Sequence, residues 1–114
     1  MLAIETLKRA LEGRDNRALS EFYADDATLI VMSKDSPPRS PRTISGRTAI
    51  SAYYDEVCRR DMKHELVAGV ADDSHLAFTE ACAYPDGTRV FCSAMAELLE
   101  GKIKRQTNVQ VWDA

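Results

Sequence analysis

Leu2, Ala3, Leu7, Ala10 and Leu11 recur at three- and four-residue steps, and Gly13 follows as a stop. That spacing predicts a helix over residues 2–12. Asp15 is placed to cap a second short helix ending at Phe22 or Tyr23, with Leu19 and Phe22 on its inner side. Ala27 to Met32 is an aliphatic, β-branched run that reads as a buried strand. Asp25 and Asp26, just before it, read as the turn from helix to strand. Residues 33–46 hold three prolines and four serines and read as a long loop. A third helix starts at Ser45 or Gly46, carrying Ala49, Ile50, Tyr53, Tyr54, Val57 and Cys58 at helical spacing.

After Met62 the period falls to two. His64, Leu66, Ala68 and Val70 form the inward set of a strand that ends at the Asp72-Asp73-Ser74 turn. Leu76–Tyr84, Thr88–Leu99 and Ile103–Trp112 follow as strands, joined by Pro85-Asp86-Gly87 and Glu100-Gly101-Lys102. The order α-α-β-α-β-β-β-β predicts an α+β fold, a strongly bent antiparallel sheet with helices packed on its concave face. Residues 1–114 read as a single domain with no repeat or linker.

Composition narrows the function classes. Fifteen basic against eighteen acidic side chains give a net charge of −3, which argues against a nucleic-acid partner. No apolar run is long enough for a membrane span, and the N-terminal residues do not read as a signal peptide. Cys58, Cys82 and Cys92 are odd in number and lack metal-type spacing, so they read as free thiols of a cytoplasmic protein. No metal or organic cofactor is expected.

Four stretches, FYADDATL (22–29), ISGRTAISAYY (44–54), LLEGKIKR (98–105) and VQVW (109–112), together with the element order, carry a family likeness. The chain resembles the nuclear transport factor 2-like superfamily, in particular its SnoaL-like and ketosteroid-isomerase-like branch. The resemblance implies a cone-shaped domain with an internal ligand pocket, and commonly a homodimer. It does not fix the function, because such folds host isomerases, cyclases, dehydratases and non-catalytic modules alike. Ketosteroid isomerases use a carboxylate base and an oxyanion hole. The positions matching these groups hold Val31, Leu7 and Ser93 or Ala94. None can move a proton in that mechanism, so Val31 is expected to line a pocket without supplying the base.

Tyr23, Tyr54 and Trp112 match pocket-lining aromatics of the family. Alternation puts Trp112 on one face with Gln110 and Asn108, which would give a hydrogen-bonding wall for a small ligand. His64 is the candidate catalytic residue, since an imidazole on the inward face can act as a general base. Glu80 and Glu97 are its possible carboxylate partners, and Glu80 can equally lie outside. His75 and the basic group Lys34, Arg39, Arg42 and Arg47 read as surface features, and Asp35 sits on a loop that would position a base poorly. Two readings stay open. One is a cofactor-independent isomerase or lyase acting on an apolar or aromatic substrate. The other is a non-catalytic module for ligand binding or dimerisation through the sheet face.

Overall fold

A computed structural model describes residues 2–113. The element order is α1 (Ile4–Glu12), α2 (Asn16–Glu21), β1 (Tyr23–Met32), β2 (Arg42–Ser45), α3 (Arg47–Arg59), β3 (Lys63–Ala71), β4 (His75–Ala83), β5 (Arg89–Leu99) and β6 (Lys102–Trp112). One six-stranded sheet runs β2-β1-β6-β5-β4-β3, and the helices cover a single face of it. The expected α+β architecture is present. Four of its five pairings are antiparallel, and β1 runs parallel to β6, closing the first strand against the last.

Burial follows the predicted alternation most strictly on β5, where Val90, Cys92, Ala94, Ala96 and Leu98 face the helices. Leu29, Ile50, Leu76 and Ile103 are fully buried at the centre of the core. Asp15 caps α2 by accepting from the Ala18 backbone N–H at 3.1 Å, which satisfies one of the donors a helix start leaves free. Gly46 enters α3 with φ +88°, a left-handed conformation that favours glycine.

Three local expectations are corrected. The segment 33–46 is not wholly loop: Arg42–Ser45 pairs with β1, and Ile44 lies opposite Leu29 and is buried. The β-branched Thr43 and Ile44 override the proline-rich context as soon as a core-facing partner is present. Asp25 and Asp26 are not a turn. They lie inside β1, where five residue steps from Tyr23 to Thr28 face two steps on β6, a local bulge. There Asp26 pairs with Lys104 at 2.5 Å, and Asp25 lies 3.5 Å from Arg47. Finally, Ala68 and Val70 point outward, because β3 carries a bulge between Leu66 and Ala68. The extra residue, Val67, is exposed, and Gly69 and Ala71 take the inward positions instead.

The β3–β4 turn is held by Asp72, whose Oδ1 accepts from the Ser74 and His75 backbone N–H groups, both at 2.7 Å. These backbone bonds lower its carboxyl below the ordinary value of 3.8. A carboxyl lowered on folding stabilises the native state above its ordinary value, and that stability is lost as pH falls through the lowered one. Asp72→Ala is therefore expected to flatten the loss of stability below about pH 4, read from urea midpoints across pH. Parallel acid limbs for the variant and the wild type would reject this role.

Candidate functional site

The bulge in β3 places His64 opposite Cys82, and Leu66 opposite Glu80, on the helix-covered face. His64 and Glu80 thus come together from neighbouring strands. His64 Nδ1 is 3.0 Å from Glu80 Oε2 and 3.4 Å from Cys82 Sγ. The His64 side chain is 5% exposed and that of Glu80 12%. An ionised carboxylate only accepts, so Glu80 selects the tautomer in which Nδ1 donates. His64 Nε2 then carries the lone pair. Among the described residues it is the only buried side-chain nitrogen or oxygen without a hydrogen-bond partner.

His64 and Glu80 line a cavity of about 60 Å³ between the sheet, α3, Leu11 of α1 and Leu19 of α2, with Tyr54, Asn108 and Phe78 among its walls. A single water needs about 10–15 Å³ on this measure, so the space holds only a few. Pockets for drug-sized ligands run to about 300–1,000 Å³. A polycyclic ligand does not fit this conformation.

Opposite the histidine stands a directional chain of hydrogen bonds. Tyr23 Oη donates to Gln106 Oε1 at 2.9 Å, so at the 2.6 Å contact between the two phenols Tyr54 donates to Tyr23. Gln106 Nε2 in turn donates to Asn108 Oδ1 at 2.8 Å. The Asn108 Nδ2 group makes none of these bonds and remains available to a ligand. Burial raises the hydroxyls of Tyr23 and Tyr54 above their ordinary value and pushes Tyr53 up to about 12. The phenols therefore stay protonated as donors.

The mouth of the cavity is aromatic. Trp112 is 37% exposed and stacks on Tyr84 with centroids 5.9 Å apart, while its Nε1 donates to Gln110 Oε1. Arg60 lies beside them, 3.4 Å from the Tyr84 hydroxyl and paired with Glu56.

Of the residues singled out from sequence, His64, Tyr54, Asn108, Gln110 and Trp112 line this cavity together. Tyr23 and Val31 do not. Tyr23 stands behind Tyr54 and anchors the amide chain, and Val31 is packed into the core beside Asn108 in the parallel β1–β6 pair. Glu80 faces inward, whereas Glu97 is exposed on the other face. Gln106, at the centre of the network, was missed. It lies one alternation step before Asn108 on β6, so the same period extended by two residues identifies it.

Burial, and next the Glu80 charge, push the thiol of Cys82 upward, and the same two causes bring Cys92 to about 12. Neither is an activated nucleophile. The donor atoms of His64, Glu80 and Cys82 all lie within 4.8 Å of one another, so these three could hold a metal ion. A second, open hollow of about 630 Å³ lies on the helix-free face, lined by Val70, Ala77, Met95 and Val109 among others. Phe78 is the one lining residue it shares with the cavity at His64.

No protein-family profile matches the chain, and no curated protein does. Solved structures do. A protein described as a putative ketosteroid isomerase from Kribbella flavida superposes with a TM-score of 0.73 at 18% identity, over 96% of this chain and 74% of that one. An NTF2-like protein of unknown function from Mesorhizobium loti gives 0.79 at 16% identity, over 94% and 86%. Another, from Burkholderia xenovorans, gives 0.74 at 19% identity, over 96% and 79%. The chain has the cone-shaped fold of the nuclear transport factor 2-like, ketosteroid-isomerase-like proteins.

Proposed function

We propose that the protein is a cofactor-independent enzyme of the isomerase or lyase type, with His64 as general base and Glu80 as its positioning residue. The observation that carries this reading is the buried, unpartnered Nε2 of His64, a residue that lines the cavity and whose Nδ1 is held by a buried carboxylate. Nε2 takes a proton from a carbon or hydroxyl of the ligand, and Glu80 stabilises the imidazolium that forms. When a C–H bond breaks beside a carbonyl, the electron pair moves onto the carbonyl oxygen, and the Nδ2 group of the cavity-lining Asn108 would donate to it. The proton returns from Nε2 to a second atom of the product or to a leaving oxygen. The cavity favours a small apolar or aromatic substrate bearing one carbonyl or hydroxyl group.

Proton exchange at carbon tests this without the natural substrate in hand. A panel of small ketones, enones and hydroxy-carbonyl compounds is incubated with the protein in heavy water, and solvent deuterium at carbon is followed by NMR. At least one compound is expected to exchange faster with the wild type. Loss of the general base is expected to slow that exchange about 10²–10⁴-fold in His64→Gln. Exchange that proceeds equally in the variant would reject His64 as the base.

The second reading, a non-catalytic ligand-binding module, is favoured by the aliphatic residues at Leu7 and Val31 and by the small cavity. It predicts compounds that stabilise the protein in thermal shift yet exchange no deuterium.

The helix-free sheet face supports self-association. Val70 and Met95, at 69% and 65%, and Val111 at 66% are exposed there with Phe91 and Val109, an apolar surface unusual on a monomer. A second copy of the chain is its proposed occupant, meeting it about a two-fold axis. Met95→Lys combined with Val109→Lys is expected to convert a dimer to a monomer in light scattering, with an unchanged circular dichroism spectrum. A wild type that is monomeric at high concentration would rule the interface out. The three free cysteines fit a reducing compartment such as the cytoplasm.

A further inference from the structure

We propose that His64, Glu80 and Cys82 also form a binding site for a thiophilic divalent cation of the zinc class, and that such a cation and the base function exclude one another. The placement follows from the sheet. His64 is directly opposite Cys82 in the β3–β4 register, and Glu80 is one same-face step along β4 from Cys82. Two adjacent strands therefore present a nitrogen, an oxygen and a sulfur to one point.

The spacing suits a small tetrahedral ion. Bonds of about 2.0–2.1 Å to nitrogen or oxygen and about 2.3 Å to sulfur give tetrahedral edges of about 3.3–3.6 Å. The Nδ1–Oε2 and Nδ1–Sγ separations are already 3.0 and 3.4 Å. Those two edges need shifts of a few tenths of an ångström, and Oε2 and Sγ lie within 4.8 Å of each other. Three protein ligands leave a fourth position for water, the arrangement of open zinc sites.

Donor chemistry selects the class of cation. Calcium and magnesium seek oxygen ligands, and this point offers one carboxylate. Thiolate and imidazole together suit zinc. The electrostatics point the same way. His64 Nδ1 is the hydrogen-bond partner of the buried Glu80, and two buried thiols lie close to the same carboxylate. A divalent cation would offset the buried Glu80 charge and, on binding, take Cys82 as the thiolate.

The exclusion follows from the imidazole itself. A neutral ring carries one proton, so when Nδ1 gives its lone pair to a metal, the proton resides on Nε2. Nε2 then donates and cannot accept a proton from a ligand. Zinc at this point would silence the base that the proposed function requires. The exclusion rests on that functional reading, while cation binding does not.

Reduced, chelator-treated protein is titrated with zinc chloride by calorimetry and with cobalt(II) chloride by absorption. One equivalent is expected to bind, with the visible bands of tetrahedral cobalt and a thiolate-to-cobalt charge-transfer band. Cys82→Ala is expected to remove the charge-transfer band and weaken binding by at least about tenfold, and Glu80→Gln to weaken it comparably. Cys58→Ala and His75→Ala are expected to bind as the wild type does. Circular dichroism establishes that each variant is folded. Absence of saturable binding in the wild type overturns the proposal, as does binding that survives Cys82→Ala or disappears in His75→Ala. Cation binding without any deuterium exchange would sustain the site and remove only the functional reading.

Discussion

Replacing Gln106 by alanine is expected to lower the unfolding free energy by about 3 kcal/mol. Gln106 is 1% exposed and belongs to the buried chain that links Tyr54, Tyr23 and Asn108. Alanine removes the acceptor of the Tyr23 hydroxyl and the donor to Asn108 Oδ1 in one step. Each buried polar group left unpaired costs about 1–3 kcal/mol, whereas the bond itself is worth about 1 kcal/mol net. The vacated volume adds a packing loss. On a domain whose total stability is about 5–15 kcal/mol, that is a large fraction. Urea unfolding measures it, and Tyr23→Phe completes a double-mutant cycle. The two substitutions share a bond, so their costs are expected to fall short of additivity. A loss below about 0.5 kcal/mol for Gln106→Ala, the size of an ordinary surface substitution, would show that the network contributes nothing to the fold.

Much of this network was legible in the strand period. Asn108, Gln110 and Trp112 fall on one face of β6 by simple alternation, and their common placement at the cavity needs no tertiary information. The histidine was legible for a partly mistaken reason. Continuous alternation on β3 groups His64 with Ala68 and Val70, yet those two residues face outward. Beyond the bulge, the register pairs residues whose numbers sum to 147, as in Gly69 with Phe78. Before it, they sum to 146, as in His64 with Cys82. Without the extra residue, His64 would point away from the helices. One inserted residue is invisible to hydrophobic periodicity, because Val67 is as apolar as the strand around it. Glu80 was named as a possible partner beside Glu97, and the choice between them stayed open because it depends on register. β2 was hidden differently. Four residues of an edge strand carry too little pattern to stand out beside three prolines, and their pairing is set by Leu29 on a distant segment. The parallel closure of β1 on β6 is likewise a long-range choice, written in no local stretch of either strand.

The His64–Glu80 pair is expected to show a sharp asymmetry between its two single variants. His64→Leu strands a carboxylate whose hydrogen-bond donor is His64 Nδ1, in a site where its side chain is 12% exposed. Leaving a buried charged group without its hydrogen bond costs more than the about 1–3 kcal/mol of a neutral one, because the charge left behind has lost both water and partner. Glu80→Leu leaves a neutral imidazole with one unmet hydrogen bond, a loss of about 1–2 kcal/mol. The double variant His64→Leu/Glu80→Leu leaves no stranded group. Buried pairs replaced together by apolar residues are often neutral or stabilising, so it is expected to equal or exceed the wild type. Urea midpoints in the presence of a chelator, which removes any contribution from bound metal, test the ordering. A His64→Leu loss below about 1 kcal/mol, the range of exposed pairs, would mean that water already reaches Glu80. A double variant less stable than His64→Leu would mean that the pair is structural. If the double variant is stable and deuterium exchange is lost, the polar pair is held at a cost to the core for its chemistry.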